Sequence, residues 1–192
     1  MAAAVCTAAA AAADAAAAAA VATGEPVIRN CKISFRLSSE IDLPRRLQRT
    51  ASSIKFFHNF AVIRSNFVYT VFMSGFVNAT KIGTLADCSR AVDHLLSILD
   101  VGRDALQGAF SVDNITAAGH FPRRIRLSAV KTIPGMHVRF KPDRFAGLSI
   151  RFDNVRGTII VFKSGSYTIV GAKTADDVNR AFCRVEEYLQ TY

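Results

Sequence analysis

Helical periodicity is clearest in two stretches of the chain, residues 84–99 and 174–189. In each stretch apolar side chains recur every three or four positions, and charged side chains fill the opposite face. Thr84 and Thr174 stand at the starts with acidic residues close behind, which is the order of an N-cap and a first helical turn. The pattern predicts two amphipathic helices.

Residues 158–174, TIIVFKSGSYTIVGAKT, have the period of β structure: two apolar runs that meet at a Ser-Gly turn. Thr158 and Ile160 belong to one face of the first run, and Ile159 and Val161 to the other, so neither face is strongly polar. A strand with one solvated face usually alternates apolar and polar residues. Because two long helices cannot cover both faces of a sheet, we expect one face to be exposed and to bind a partner.

The chain contains an internal repeat. Residues 72–99 align without a gap on residues 162–189, which places Phe72 on Phe162 and the two helical stretches on each other. Upstream, VIRNCKIS echoes SVDNITAA around a shared Asn, and each is followed by a basic segment that predicts a short helix, LPRRLQRTA (43–51) and FPRRIRLSAV (121–130). We therefore expect two repeats, at about 27–105 and 108–192, each with the order strand, short helix, several strands, long helix.

Composition adds three points. The chain has 192 residues and a formal charge of +9, which favours a polyanionic partner. Residues 1–24 form an Ala-rich tract that we expect to be a disordered tail, and no other apolar run approaches the roughly 18 residues of a membrane span. The four cysteines are scattered, which predicts reduced thiols in an intracellular setting rather than a zinc site or a disulfide framework.

The second repeat carries a family resemblance. The segments RFAGLSIRF and IVFKSGSYTIVGAKT, followed by an amphipathic helix, resemble the core of the TATA-binding protein family, and so does VDNITAAGHFPRRIRL. The similarity covers about residues 27–192 and is stronger in the second repeat. It implies an α+β saddle: a curved antiparallel sheet of about ten strands from two pseudo-symmetric repeats, with helices on its convex face. The concave face would lie in the DNA minor groove, and this family is a standard example of minor-groove kinking by Phe side chains.

The resemblance assigns the wedge residues. Phe145 and Phe162 would be the pair of the second repeat, and a turn centred on Asp153-Asn154 would set them directly opposite each other. In the first repeat Phe72 matches one wedge. A turn at residues 64–65 would set Phe57 opposite Phe72, and a turn at residues 65–67 would set Phe60 there; the first arrangement is slightly preferred.

The resemblance also assigns contacts to the groove floor and to phosphates. Asn30 and Asn114 match an Asn pair that hydrogen-bonds acceptors on the groove floor. The other expected floor residues are small or apolar: Thr80, Val68, Thr70, Thr158, Ile160, Thr168 and Val170. Arg151 and Lys173 match positions that contact phosphates.

Some positions depart from the family pattern. Lys32 and Thr116 stand where the family prefers Val on the floor, so that Lys32 would disturb apolar packing or reach a phosphate. Phe76 and Ser166 replace Lys residues after the turns, and Lys81-Ile82-Gly83 replaces a Gly-Ala-Lys sequence. These departures indicate a divergent member of the family, such as one from a virus or a protist, with a less strict TATA preference.

The resulting expectation is a general transcription factor that binds and bends A·T-rich promoter DNA in the nucleus or at a site of viral transcription. Its expected partners are double-stranded DNA, factors resembling transcription factors IIA and IIB, and the RNA polymerase machinery, with no membrane, metal or cofactor. The alternative is a related factor with weak or no TATA binding that acts as a protein adaptor. An enzyme is not expected, because no His, Ser or Cys has the spacing or context of a catalytic or metal site.

Overall fold

The structure is a computed structural model that describes residues 24–38, 42–48 and 53–190, and these form ten strands and three α-helices. The predicted tail lies outside the described residues except for Gly24. The elements are, in chain order, β1 (Val27–Arg36), α1 (Leu43–Gln48), β2 (Ser53–Phe56), β3 (Phe60–Arg64), β4 (Val68–Phe72), β5 (Phe76–Ile82), α2 (Asp87–Leu99), β6 (Ser111–His120), β7 (Met136–Lys141), β8 (Phe145–Phe152), β9 (Thr158–Val161), β10 (Ser166–Ala172) and α3 (Ala175–Leu189).

The ten strands form one hydrogen-bonded sheet with the order β2-β3-β4-β5-β1-β6-β10-β9-β8-β7. Read inward from either end, the order is the same for the first five strands of the chain as for the last five, and every pair with a defined register is antiparallel. The predicted α+β fold, with an antiparallel sheet of about ten strands built from a duplicated unit, is therefore confirmed.

By its internal contacts the chain divides into two compact units, which are described separately. The first unit is Arg29–Ile115, and the second comprises the described residues on either side of it. The repeat boundaries at 27–105 and 108–192 stay a prediction from the sequence.

In the first unit one face of the strands is buried and the other is open. The buried face consists of Ile33, Phe35, Ala61, Ile63, Tyr69, Val71, Val77 and Ala79, all less than 5% exposed. α2 packs on β5 and α1, and its buried stripe contains every predicted apolar position from Cys88 to Leu99. Leu85, which was also predicted in that stripe, is half-buried and precedes the helix.

The second unit repeats this arrangement with α3. The helix packs on β9 and β10, and its buried side chains include the predicted Val178, Ala181, Phe182, Val185 and Leu189. Beneath it the rings of Tyr167 and Phe182 stack with centroids 5.5 Å apart. The predicted division of the 158–174 hairpin into a covered and an uncovered face is confirmed, because Ile159, Val161 and Ile169 are buried.

One of the two predicted helix caps is wrong. Thr174 is the N-cap of α3: its hydroxyl accepts the N–H of Asp177 at 3.0 Å, and the Asp177 carboxylate accepts the N–H of Thr174 at 3.1 Å. α2, however, begins only at Asp87, with Ala86 in the N-cap position. Thr84 still accepts the N–H of Asp87, at 3.3 Å, so a single tight turn separates it from the helix.

The two predicted short helices also differ in outcome. The first is α1, whereas residues 121–130 contain only a 3₁₀ turn, Leu127–Ala129. The backbone N–H groups of Phe121 and Ile125 instead donate to the carbonyls of Gly165 and Lys163 in the β9–β10 turn. An N–H that donates to one of these carbonyls cannot also donate to the carbonyl four residues earlier. The tertiary hydrogen bonds therefore replace those of a helix.

Both basic segments provide an Arg side chain that binds the C-terminus of a long helix. Arg46 donates to the carbonyl of Leu99 at 2.8 Å and to that of Asp100, the last residues of α2. In the second unit Arg123 donates to the carbonyl of Leu189 at the end of α3. A cation at this end of a helix satisfies unpaired carbonyls and interacts favourably with the helix dipole.

Tyr167 anchors the beginning of the described chain in the second unit. Its buried hydroxyl donates to the carbonyl of Gly24 at 2.6 Å. A side chain at Gly119 would overlap that hydroxyl, since a Cβ there would lie 2.3 Å from it. Burial raises the pKa of Tyr167, so the phenol stays a hydrogen-bond donor across the physiological range.

Candidate nucleic-acid interface

The expected floor residues all lie on the open face of their unit. Each is half-buried, and those in strands β4, β5, β9 and β10 alternate with fully buried neighbours. Several are direct cross-strand partners: Val68 faces Thr80, Thr168 faces Ile160, and Val170 faces Thr158. Asn78, which the sequence analysis missed, belongs to the same face and lies opposite Thr70. Within the described residues, each unit thus presents a half-buried face of small apolar and hydroxyl side chains on the side away from its long helix.

Phe145 and Phe162 are adjacent in the second unit, although not through the predicted register. Ser149 pairs with Ile160 and Ile150 with Ile159, and this register, continued along the strands, sets Gly147 rather than Phe145 opposite Phe162. The predicted direct pairing is therefore wrong, because the five residues 153–157 separate β8 from β9 and a two-residue turn was assumed. The ring centroids are nevertheless 5.8 Å apart with the rings edge to face, and Phe145 is 50% exposed.

Gly147 explains how the two rings meet. A Cβ on this glycine would lie 2.6 Å from Cε1 of Phe145 and 2.8 Å from Cγ2 of Ile160. The Phe145 ring therefore lies across the space that a side chain at Gly147 would fill, and it reaches Phe162 diagonally. The sequence signal was the glycine itself, two positions from an aromatic residue on the same strand face.

In the first unit the structure selects Phe60 as the cross-strand partner of Phe72, so the slight preference for Phe57 was wrong. The turn is the three-residue one, with the N–H of Ser65 donating to the carbonyl of Phe67 at 2.9 Å. Phe57 still belongs to the group, because its ring stacks on Phe60 with centroids 4.5 Å apart. Phe57 is 42% exposed.

This aromatic group is larger than predicted. The ring of Phe76, noted only as a departure from the family pattern, lies 6.0 Å from that of Phe72. The group also attracts cations: Lys55 lies over the ring of Phe57 at 5.3 Å, and Arg36 lies over that of Phe76 at 5.9 Å.

Asn30 has a structural contact that the sequence did not reveal. Its carbonyl oxygen accepts the N–H of Lys81 at 2.8 Å, and Lys81 has a left-handed backbone with φ of 63°. The β1–β5 register shifts between Cys31 and Ile33, which marks a bulge beside this contact. With its oxygen bound in this way, Asn30 would contribute its NH₂ group, a donor, to any ligand on the open face.

Lys32 is held in an ion pair. Its Nζ lies 3.8 Å from Oδ2 of Asp113, and the hydroxyl of Ser34 donates to Oδ1 of the same carboxylate at 2.9 Å. Lys32 and Ser34 alternate along β1 with the buried Cys31, Ile33 and Phe35, so both belong to the open face. Lys32 was expected to disturb the apolar packing or to reach a phosphate. It instead forms a polar group with Asp113 and Ser34.

Arg151 and Lys173 line one open groove of about 1120 Å³ at the edge of the second unit. Arg156, which the sequence analysis missed, lines it as well. The acidic residues of the groove are already paired: Asp176 and Asp177 bind Arg180, which also lines the groove, at 2.9 and 3.1 Å, and Asp153 binds His137 at 2.6 Å. The groove therefore offers three exposed cations to an anion.

Within residues 24–38, 42–48 and 53–190, no cluster of three or more His, Cys, Asp or Glu could hold a metal ion. No helix in that part of the chain has both the length and the apolarity to cross a membrane. Burial raises the pKa of Cys31 to about 12 and also raises that of Cys88, which keeps both thiols protonated. Cys183 is exposed on the solvent side of α3.

Comparison with known proteins adds an independent finding. A family model described as "Transcription factor TFIID (or TATA-binding protein, TBP)" matches residues 109–192. The TATA-box-binding protein of Archaeoglobus fulgidus is 31% identical over 124 residues, which cover 63% of this chain and 68% of that protein. That of Tetrahymena thermophila is 24% identical over 173 residues, covering 87% of this chain and 70% of that protein. The solved structure of Methanococcus jannaschii TBP matches with a TM-score of 0.75 and 21% identity, covering 88% of this chain and 99% of that one, and so shows the same fold.

Proposed function

Because this chain belongs to the TATA-binding protein family of transcription factors, we propose that it binds the minor groove of A·T-rich duplex DNA, bends the duplex, and so acts in transcription initiation in the nucleus. The observation that carries the proposal is the open face of each unit, where half-buried floor residues accompany exposed Phe rings. Such a face leaves apolar area in water unless a partner covers it.

The chemistry of the floor favours A·T pairs. In the minor groove A·T and T·A pairs present only acceptors, whereas guanine adds an amino donor. Val68, Thr158 and Ile160 offer methyl groups that pack on a flat groove floor but cannot accept a hydrogen bond from that amino group. An amino group buried there without an acceptor would cost about 1–3 kcal/mol.

The Phe rings supply the bend. Phe145 and Phe162 meet edge to face at one end of their sheet, where the exposed Phe145 ring can enter a base step. Unstacking a step costs a few kcal/mol, which is offset when the bent duplex contacts more of the protein surface. Phe57, Phe60 and Phe72 form the corresponding group of the first unit.

Phosphate contacts would add affinity without sequence choice. Arg151 and Lys173 line the same groove, and the chain carries a formal charge of +9. Each phosphate neutralised by such a cation releases a counterion, so the affinity would fall steeply with salt.

A circular-permutation gel shift with an A·T-rich duplex tests the proposal. The wild-type chain should give a mobility that depends on the position of the site, and the Phe145→Ala/Phe162→Ala variant should lose most of this dependence while it still unfolds cooperatively. Ile133→Ala is the matched control, because Ile133 is an exposed apolar residue outside the aromatic group. Position-independent mobility of the wild-type complex would rule out bending.

The adaptor alternative has one observation in its favour. The carboxylate of Asp113 places a negative charge at the open face, and the Lys32 ammonium, 3.8 Å away, only partly offsets its repulsion of a polyanion. In that case the main partners would be proteins such as factors resembling IIA and IIB. Capture of a purified IIB-like factor by the chain in the absence of DNA, together with no measurable duplex binding at low salt, would favour the adaptor.

A further inference from the structure

The open face of the first unit has a charged pair where its neighbours are small and apolar or carry hydroxyls. Lys32 and Asp113 form an ion pair at 3.8 Å, their side chains are 43% and 29% exposed, and Ser34 holds the carboxylate at 2.9 Å. We propose that Lys32, Asp113 and Ser34 read a G·C pair through the minor groove, so that the preferred site is A·T-rich DNA with a G·C pair at one defined position. This inference rests on the proposed function.

The hydrogen-bonding pattern of the groove supports this assignment. A G·C pair presents the guanine amino donor between two acceptors, N3 of guanine and O2 of cytosine. The Asp113 carboxylate can accept from the amino group, while the Lys32 ammonium can donate to an adjacent acceptor. An A·T pair would present only acceptors, which repel the Asp113 carboxylate. The carboxylate would then lose its bound water without gaining a hydrogen-bond donor.

The position of the pair favours base contact over phosphate contact. β1 is an interior strand of the sheet and is bonded to β5, whose Asn78 lies opposite Ser34. Asn30, two residues before Lys32 on the same face, is also directed to the groove floor by the proposed function. Phosphates follow the walls of a groove, so the side chains of an interior strand face base edges first.

The carboxylate is also held in place before any ligand arrives. Ser34 fixes one oxygen of Asp113 and Lys32 attracts the other, so less side-chain freedom is lost on binding than for a free surface Asp. A flexible acidic side chain could turn away from the groove, but one bound by two neighbouring side chains remains at the floor.

Selection of bound sequences from random duplex DNA is the first arm of the test. We expect A·T-rich sites with G·C enriched at one position. The second arm replaces that guanine by inosine, which lacks the amino group but keeps the major-groove edge, and the affinity of the unmodified protein should fall about tenfold. Uniform A·T sites, or equal affinity for the inosine duplex, would overturn the inference but leave the proposed function standing. Failure to bind any duplex at low salt would overturn both.

Variants locate the effect on these residues. The Lys32→Met/Asp113→Leu variant gives an apolar floor and should reverse the preference, so that the uninterrupted A·T site binds more tightly than the G·C site. Arg103→Met/Asp93→Leu removes an ion pair of 2.6 Å that involves α2 and should leave the preference unchanged. If Lys32→Met alone lowers the salt slope by about one while the base preference stays the same, Lys32 contacts a phosphate and the inference fails.

Discussion

At the scale of single residues, small side chains decide where aromatic rings can go. Gly147 leaves the space in which the ring of Phe145 lies, and Gly119 leaves the space for the hydroxyl of Tyr167. Neither glycine has a positive φ, so what matters is the absent side chain and not the backbone conformation. The reach of Phe145 toward Phe162 therefore depends on the absence of a side chain at Gly147.

Gly147→Ala should weaken DNA bending more than it weakens the fold. The added methyl group would displace the Phe145 ring, whose far edge lies 2.6 Å from the new Cβ, while the strand remains intact. We expect a loss of stability of about 1–2 kcal/mol and a marked loss of bending in a circular-permutation assay. Gly83→Ala is the matched control, because a Cβ there meets nothing within 4 Å. Unchanged bending would show that the ring position is not critical.

At the scale of elements, each long helix is closed by an Arg from a basic segment earlier in its unit. Arg46 binds the last carbonyls of α2, and Arg123 binds the carbonyl of Leu189 in α3. At the other end α3 has a reciprocal cap between Thr174 and Asp177, whereas Thr84 of the first repeat only approaches its helix.

Arg46→Met should lower the free energy of unfolding by about 1–2 kcal/mol, because it leaves the carbonyls of Leu99 and Asp100 without their charged donor. Urea denaturation measures the loss. Arg45→Met, one position earlier on α1 and exposed, should change the stability by less than about 0.5 kcal/mol. Equal effects of the two variants would assign the loss to general charge and not to the cap.

The carboxylate of Asp177 should make stability depend on pH. Burial opposes its ionisation, but hydrogen bonds from Lys173, Thr174 and Arg180 outweigh burial and hold the pKa of Asp177 below its ordinary value. A lowered pKa contributes stability above the unfolded-state pKa, about 4, and the contribution disappears as the pH falls through the folded-state pKa.

We therefore expect Asp177→Asn to be less stable than the wild type by about 1 kcal/mol near pH 7 and equally stable near pH 2. Chemical denaturation across this range gives the difference at each pH. Asp176→Asn is the neighbouring control, since Asp176 is largely exposed and its carboxylate contacts Nε of the same Arg180. A difference between Asp177→Asn and the wild type that persists at low pH would exclude a charge effect.

Sequence patterns predicted elements well and contacts between elements less well. The amphipathic stripes of α2 and α3 and the two faces of the 158–174 hairpin depend on local periodicity, and all were found. The strand partner of Phe145 and the choice between Phe57 and Phe60 as the partner of Phe72 depended on loop length. The amino-acid sequence of a turn does not determine that length.

The remaining errors have a tertiary origin. Residues 121–130 have helical composition, but the carbonyls of Lys163 and Gly165 bind their N–H groups. The ion pair of Lys32 could not be foreseen either, because Asp113 is 81 positions away and its strand gives no sign of a partner.

At the scale of the whole molecule, positive charge is in excess and part of it is concentrated at the proposed interface. The formal charge is +9, and Arg151, Arg156 and Lys173 line one groove. The aromatic groups are unequal in size: Phe57, Phe60, Phe72 and Phe76 in the first unit, against Phe145 and Phe162 in the second.

If Arg151 and Lys173 contact phosphates as proposed, Arg151→Gln and Lys173→Gln should each lower the slope of log affinity against log salt by about one, because each would remove one such contact. The selected base sequence should stay the same. Arg184→Gln, which removes an exposed charge on α3 bound to Glu187, serves as the control for net charge. Affinity measured at several salt concentrations distinguishes the loss of a phosphate contact from a change in net charge. Equal slopes for all three variants would indicate a general charge effect.

The hydrogen bond between Tyr167 and Gly24 has a consequence for biosynthesis. It joins positions 143 residues apart, and Gly24 belongs to the same compact unit as Thr116 and the residues after it. During translation the opening segment of the second unit emerges from the ribosome long before its anchor exists. That segment therefore cannot form this contact until Tyr167 has been synthesised and has left the exit tunnel.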